Sequence, residues 1–204
     1  MVEAGAAGAA GKVIAAGKVI ALVSSAGGLA ATTTVLRRLP ATFPAPVIVL
    51  QHLDPDRMSM LPRILAGHTA LTALPVVDGA ELRTGTLLVV PAGRHLLVTA
   101  ARRIALIPSG RFPPSRPSAD LLLTSLALAV GPDAVGVVLS GLGSDGATGA
   151  SAITHFGGLV IASDEDSSAH FSMPSAAIDR DRAVVEVHPL DVIADRLMEL
   201  VAPV

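Results

Sequence analysis

Apolar and polar positions along the chain form two recurring patterns, short apolar runs and longer helical repeats. Uninterrupted apolar runs predict strands that are buried on both faces, as in a parallel sheet. Such runs occupy 19–23, 47–50, 134–139, 159–162 and 184–187. Apolar residues spaced three or four apart between the runs predict helices. The helical stretches are 27–38, 56–66, 118–130, 147–156 and 190–201. This alternation predicts an α/β fold with a doubly wound, mostly parallel sheet in a single domain.

The middle of the chain departs from this alternation. Residues 72–107 lack long helical periodicity and contain short β runs separated by Gly, Arg and Pro. These runs, at 87–90, 96–98 and 104–107, predict a small antiparallel hairpin region. Two polar residues are predicted to be helix N-caps, Asp56 before the second helix and Ser118 before the third.

The first residues differ in composition from the rest. Residues 1–17 are mostly Ala and Gly, which have little side chain to bury, and they predict a flexible leader before a folded domain over 18–204. They lack the pattern of a signal peptide. The longest uncharged stretch, 19–36, is interrupted by Ser, Thr and Gly and is a poor membrane span. We therefore expect a cytoplasmic protein without membrane insertion.

Composition narrows the function classes. Fifteen basic and seventeen acidic residues leave a net charge of -2, and the chain has four Phe but no Trp or Tyr. Neither bulk electrostatic attraction nor aromatic stacking then favours nucleic acid as a partner. Cys is absent, which excludes thiol catalysis and thiolate metal sites.

Polar residues with complementary chemistry follow three of the predicted strands. Ser25 follows the first strand and precedes two glycines, His52 follows the second, and Asp145 lies in a glycine-rich turn after 134–139. The carboxyl ends of parallel strands lie at one edge of a sheet, where ligands bind. Each residue alone has an ordinary structural role, as a cap or a loop residue. Together they form a nucleophile, a proton acceptor and the carboxylate that orients it.

The same glycine-rich turn carries a competing interpretation. Gly141, Gly143 and Gly146 match the G-x-G-x-x-G pattern, and Asp164 follows the next strand, where a ribose-binding carboxylate would lie. A dinucleotide-binding oxidoreductase is therefore an alternative, although it leaves the serine and histidine unexplained. The acidic cluster at 164–166 with a nearby histidine fits neither a calcium loop nor a zinc helix, and we expect a solvated loop there.

With these motifs laid out, the chain resembles the catalytic domain of the bacterial chemotaxis protein-glutamate methylesterases, the CheB family. Residues 23–28 align with the family's Gly-Ala-Ser-Thr-Gly-Gly, 51–53 with its Gln-His-Met and 140–146 with its Thr-Gly-Met-Gly-Asn-Asp-Gly. Further matches lie at 91–95, 116–120 and 171–174. The motifs occur in the family's order and extend over nearly the whole chain.

The resemblance implies a function and a site. It implies hydrolysis of glutamyl methyl esters on a methylated, chemoreceptor-like protein, often with deamidation of glutamine, and it implies no cofactor and no metal. Ser25 would be the nucleophile, His52 the general base and then acid, and Asp145 the residue that orients His52. The N–H groups near Ala26 and Gly27 would form the oxyanion hole.

The chain departs from the family pattern at several positions. Val23 and Ala26 replace the Gly and Thr that flank the nucleophile, and Leu142, beside Gly143, replaces the Met at the lip of the site. A catalytically weakened interaction module is therefore a further alternative. No receiver domain precedes the esterase pattern, so we expect an enzyme that is constitutively active or controlled by a partner that the sequence does not identify.

Overall fold

A seven-stranded sheet forms the centre of the molecule in a computed structural model that describes residues 17–110, 115–180, 183 and 185–202. Seven of nine strands pair in parallel in the order β3-β4-β2-β1-β7-β8-β9, and β5 and β6 form a separate antiparallel pair. The strands are β1 (Val19–Ser24), β2 (Val47–Gln51), β3 (Thr72–Leu74), β4 (Thr86–Val89), β5 (Arg94–Val98), β6 (Ile104–Pro108), β7 (Ala134–Val138), β8 (Leu159–Ser163) and β9 (Val185–His188).

Helices cover both faces of the sheet. They are α1 (Gly28–Leu36), α2 (Leu61–Ala66), α3 (Ala119–Val130), α4 (Ala147–His155), α5 (Ser172–Asp179) and α6 (Leu190–Val201). The buried side chains of α1, α2 and α6 form one apolar core with alternate strand residues, and those of α3, α4 and α5 form a second. In β1, for example, Ile20 and Leu22 face the first core while Val19 and Ala21 face the second. The fold is therefore the predicted doubly wound α/β fold.

The chain reverses its direction of winding beside β1. After β1 it adds β2, β4 and β3 on one side, and it then crosses to add β7, β8 and β9 on the other. The carboxyl ends of β2, β1 and β7 consequently lie next to one another at the edge of the sheet. Ligands bind at such switch points in doubly wound folds.

The antiparallel region is smaller than the β runs of the middle segment suggest. The hairpin of β5 and β6 is confirmed, with His95 opposite Ile107. The prediction is wrong for the run at 87–90, because it forms β4 and pairs in parallel with β2 and with the unpredicted strand β3. A fully apolar run fits a central parallel strand better than a hairpin arm.

Helix α2 begins later than the sequence predicts. It starts at Leu61, and Asp56 is not its cap, because the Asp56 N–H donates to the side chain of Asp54 in a turn (3.1 Å). The hydroxyl of Ser59 accepts the Leu61 N–H instead (3.1 Å). The prediction for α3 is confirmed: the Ser118 hydroxyl accepts the Leu121 N–H.

Two further predictions concern the leader and membrane insertion. The leader prediction for 1–17 lies outside the described residues, except for Gly17. Within the part of the chain that the structure describes, no helix is long and apolar enough to cross a membrane.

Candidate active site

Backbone hydrogen bonds join the three strand ends into one rigid edge. The His52 N–H donates to the carbonyl of Ser24 (3.1 Å), and the Ser25 N–H donates to the carbonyl of Ser140 (3.0 Å). Ser25 therefore lies between the segment that follows β2 and the segment that follows β7. The structure brings the three predicted residues to the same edge of the sheet, as their positions at strand ends require.

The two adjacent serines occupy different environments. Ser24 is fully buried, and its hydroxyl has no hydrogen-bond partner among the described residues. Ser25 is half-buried and lines an open groove. The turn between them and α1 requires glycine twice: Gly27 has a φ of 74°, and a Cβ on Gly28 would lie 2.4 Å from the Ser24 hydroxyl. Ser25 is thus the serine that a substrate can reach.

His52 and Asp145 form a shielded pair. The Nε2 atom of His52 lies 2.8 Å from Oδ2 of Asp145, and the two side chains are 15% and 9% exposed. A carboxylate only accepts hydrogen bonds, so Nε2 carries a proton, and in the neutral imidazole Nδ1 then keeps its lone pair. The Ser25 hydroxyl makes no hydrogen bond to this imidazole in the described structure, an arrangement common in sites without substrate.

Helix α3 holds the carboxylate of Asp145 in place. Its Oδ2 also accepts the Ala119 N–H (2.7 Å), and its Oδ1 accepts the Asp120 N–H (3.0 Å) and the Ser118 hydroxyl (3.1 Å). The carboxylate is thus anchored at the positive end of α3. Burial alone raises the pKa of Asp145, but the hydrogen bonds from His52, Asp120 and Ala119 outweigh it and lower the pKa below its usual value.

A second carboxylate, that of Asp120 in α3, makes the reciprocal contact with the start of α4. Oδ1 of Asp120 accepts the N–H groups of Gly146 and Gly149, both at 2.9 Å, and so caps the helix that follows Asp145. Burial raises the pKa of Asp120, and the nearby charge of Asp145 adds to this rise against the lowering effect of the Gly149, Gly146 and Thr148 N–H groups. The two aspartates therefore cap each other's helix.

A buried histidine supports the start of α3. His95 is 2% exposed, and its Nδ1 accepts the Ser118 N–H (2.9 Å) while Nε2 lies 3.3 Å from the carbonyl of Ser109. The bond at Nδ1 requires an unprotonated nitrogen there, so this histidine is neutral in the structure. It connects the β5–β6 hairpin to the helix that holds Asp145.

Ser140 fixes the loops on the other side of Ser25. Its buried hydroxyl donates to the carbonyl of Ala26 (2.8 Å) and accepts the His170 N–H (3.0 Å). Close packing follows at Gly141, where a Cβ would lie 2.1 Å from the sulfur of Met173 and 3.0 Å from Cβ of Ser25. Ser140 and Gly141 therefore determine where the backbone of Ser25 lies.

The predicted oxyanion donors lie in the turn after Ser25. The N–H groups of Ala26 and Gly27 donate to no other described residue, and both residues line the groove. Leu142 and Gly143 lie in the exposed loop after β7, with Leu142 59% exposed. They are not part of the groove lining around Ser25.

Among the described residues, the start of α4, after the glycine-rich turn, has no vacant N–H groups for a dinucleotide. In that fold a pyrophosphate binds the N–H groups at the start of the helix after the glycine-rich turn. Here the Gly146 and Gly149 N–H groups donate to Asp120. Asp164 binds the N–H and hydroxyl of Ser167. The described residues also contain no group of three or more His, Asp or Glu side chains that could hold a metal ion.

Sequence reasoning found the residues at the strand ends and missed the residues that hold them. His95 and Asp120 lie in the short motif matches at 91–95 and 116–120, which give a signal without a role, and Ser118 is predicted only as the N-cap of α3. Ser118 and Asp120 contact Asp145 across 27 and 25 residues of sequence, and His95 contacts Ser118 across 23, so no local pattern encodes their role.

Comparisons with known proteins agree on one family. The family model described as CheB methylesterase matches residues 20–197. The chain is 39% identical over 182 residues to "Protein-glutamate methylesterase FrzG" from Myxococcus xanthus, covering 89% of this chain and 54% of that protein. It is 41% identical over 185 residues to "Protein-glutamate methylesterase/protein-glutamine glutaminase 3" from Anaeromyxobacter dehalogenans, covering 89% and 53%. The chain thus spans about half the length of these curated relatives.

A solved structure matches the whole fold. The crystal structure of the Thermotoga maritima CheB methylesterase catalytic domain superimposes with a TM-score of 0.83 at 31% sequence identity. The match covers 91% of this chain and 100% of that one. The half of the curated relatives that this chain matches therefore corresponds in fold to a catalytic domain.

Proposed function

The chain belongs to the CheB methylesterase family, and from this premise we propose that it is a serine hydrolase that removes methyl esters from glutamate side chains of a protein. The substrate we propose is a methylated, chemoreceptor-like protein in the cytoplasm. Two curated relatives carry names that specify glutamate methylesterase and glutamine glutaminase activity, and the fold match to a catalytic domain supports the same assignment.

The first half of the reaction uses the three strand-end residues. Ser25 attacks the carbonyl carbon of the ester while Nδ1 of His52 accepts the hydroxyl proton. Asp145 keeps the proton on Nε2 and stabilises the imidazolium that forms, because its carboxylate is ionised and fixed by α3. In chymotrypsin-like proteases the two ring nitrogens have the opposite roles. The negative oxygen of the tetrahedral intermediate would bind the N–H groups of Ala26 and Gly27.

The second half releases the products. The imidazolium of His52 donates its Nδ1 proton to the departing methoxide, so methanol leaves and the glutamyl group stays on Ser25 as an ester. A water molecule, deprotonated by His52, then attacks this acyl-enzyme; the bond to Ser25 breaks, the serine oxygen takes the proton from His52, and the glutamate carboxylate is released. A glutamine side chain follows the same route with ammonia as the leaving group, which accounts for a glutaminase activity without a further residue.

A single observation carries the proposal. The imidazole of His52 is oriented by a buried carboxylate at 2.8 Å, and its backbone is bonded to the residue next to the accessible Ser25. A histidine that was merely a loop residue would not need a carboxylate with four hydrogen-bond donors around it. The shielding of the pair also strengthens its electrostatic effect on the reaction.

The paired serines provide the experiment. Purified protein is given a receptor fragment with methyl-labelled glutamate esters, and released methanol is measured. We expect Ser25→Ala to lower the rate at least about 100-fold, since the nucleophile is removed. Ser24→Ala is the matched control and should leave the rate within about twofold, because its hydroxyl is buried and unpartnered.

Two results would contradict the proposal. One is retained methanol release by Ser25→Ala in a protein whose circular dichroism shows the native fold. The other is the absence of methanol release, from the receptor fragment and from small glutamyl methyl esters alike, by the folded wild-type protein.

A further inference from the structure

The groove that contains Ser25 extends well beyond the reacting residues. Its volume is about 870 Å³, and it is open to solvent along one side of α1 as far as Arg37. A glutamyl ester fills only the end near Ser25. The remainder of the groove is therefore available to the chain of the protein that carries the ester.

One face of α1 forms this extension. Its residues recur at three- and four-residue spacing and so share a face: Leu29, Ala30, Thr33, Thr34 and Arg37. The Thr34 hydroxyl donates to the carbonyl of Ala30 within the helix (3.0 Å), which leaves an almost neutral, weakly polar surface up to Arg37. The opposite face of α1 packs in the core through Ala31, Val35 and Leu36.

Arg37 places a positive charge at the far end of the groove. Its side chain is exposed, and its Nη2 lies 3.2 Å from Nδ1 of His68, a neutral acceptor that holds the guanidinium. The lining residues, which are all described, include no Asp or Glu. The next residue differs: Arg38 is bonded to the carboxylate of Asp195 at 2.7 Å. The positive charge of Arg37 is therefore presented to whatever occupies the groove, whereas that of Arg38 is neutralised within the protein.

We propose that this groove binds the segment of the substrate protein beside the esterified glutamate, and that Arg37 pairs with a carboxylate of that segment. The inference rests on the proposed function and adds to it that the enzyme recognises an acidic residue of the substrate near the ester. From Gly28 to Arg37 the helix rises about 13 Å. The selected acidic residue is therefore roughly four residues from the ester in an extended segment, or roughly nine in a helical one.

The expected effect is modest and sensitive to salt. An exposed ion pair contributes little and is screened within about 10 Å at ordinary ionic strength. We expect the wild-type enzyme to prefer an acidic over a neutral peptide by about fivefold in KM at low salt. The value of kcat should not change, because Arg37 does not touch the reacting atoms. At about 0.5 M salt the preference should be largely lost.

The test uses pairs of peptides with one glutamyl methyl ester. Each pair carries either Glu or Gln at one position between three and eleven residues from the ester, on either side. Methanol release is measured for the wild type, for Arg37→Gln and for the matched control Arg38→Gln. We expect at least one pair to show the KM preference in the wild type and in Arg38→Gln, and no pair to show it in Arg37→Gln.

The outcomes separate this inference from the proposed function. A small substrate, N-acetylglutamate γ-methyl ester amide, reports on Ser25 chemistry alone, and Arg37→Gln should hydrolyse it at the wild-type rate. Normal small-ester hydrolysis without a charge preference, or with a preference that survives Arg37→Gln, overturns only the role of Arg37. Absence of all ester hydrolysis by folded wild type overturns both.

Discussion

The carboxylate of Asp145 uses all of its hydrogen-bond acceptor positions in this site. Its two carboxylate oxygens accept four hydrogen bonds, two each. One comes from His52, and the other three come from the first residues of α3 and its cap. All four partners donate, so only a group with four acceptor positions fits. An amide would direct an NH₂ group at two donors and could not stabilise an imidazolium.

The first prediction at this scale concerns Asp145→Asn. We expect ester hydrolysis to fall at least about tenfold, and the loss approaches the roughly 10⁴-fold of the equivalent protease change if the tautomer of His52 is reversed. Methanol release at pH ~7.5 is the measurement, with Asp166→Asn, in the exposed acidic loop, as the control that should be silent. An unchanged rate in Asp145→Asn, or a wild-type melting temperature that rises with NAD, would favour the dinucleotide interpretation instead.

At the scale of elements, α3 and α4 are joined by exchanged caps. Asp145, before α4, binds the N-terminus of α3, while Asp120, within α3, binds the N-terminus of α4. The two charges lie close together, which lowers the benefit of ionising both. Burial raises the pKa of Asp120 and the charge of Asp145 adds to that rise, whereas hydrogen bonds from His52, Asp120 and Ala119 outweigh burial and lower the pKa of Asp145.

Opposite pKa shifts give opposite effects of pH on stability. The pKa of Asp145 is lowered by folding, so its charge stabilises the native state above its usual value of 3.8, and this contribution is lost as the pH falls through the lowered value. The pKa of Asp120 is raised, so its charge destabilises the native state above the raised value, and the effect disappears when Asp120 is protonated.

Substitution by Asn should therefore separate the two residues. Asp120→Asn keeps an oxygen for the Gly146 and Gly149 N–H groups and removes the unfavourable charge, so we expect a higher free energy of unfolding at pH 7 than in wild type. That difference should vanish near pH 3. Asp145→Asn should lower the free energy of unfolding at pH 7. Urea unfolding at both pH values is the measurement, and destabilisation of Asp120→Asn at pH 7 would contradict the assignment.

What the sequence predicts at this scale depends on how local the signal is. The strands β1, β2, β7 and β8 were predicted because their apolar runs are unbroken, and the site residues follow from their position at the ends of such runs. The sequence predicts a hairpin for the run that forms β4. This prediction is wrong because tertiary contacts determine which strand pairs with it, and a local pattern does not encode them. Helix α5 has only two fully buried apolar residues four apart, Met173 and Ala177, with Pro174 between them, so it gave too little periodicity.

At the scale of the whole molecule, the extent of the folded unit is open to test. We propose that residues 18–204 form the catalytic domain. Its first described residues are tied down: Lys18 donates to the carbonyl of Pro132 (2.9 Å), and Gly17 contacts Asp133 and Arg102. These contacts join the start of β1 to the turn before β7.

Truncation tests this proposal. A shortened protein that begins at Gly17 keeps these contacts, so its melting temperature should stay within about 2 °C of the full chain, and its rate of methanol release should be unchanged. A protein that begins at Val19 loses them and serves as the comparison, with a lower melting temperature. A large loss of stability already on removal of residues 1–16 would show that the boundary is misplaced.

The exchange of caps also restricts how this fold can change over evolutionary time. Because the residue that orients His52 is held by backbone groups of α3, the position of the His52 imidazole depends on a helix whose other face packs in the core. A substitution that shifts α3 therefore affects both the packing of the domain and the position of His52. Sequence drift is expected to be slowest along this helix and fastest along the exposed face of α1, where new substrates can be accommodated without disturbing the chemistry.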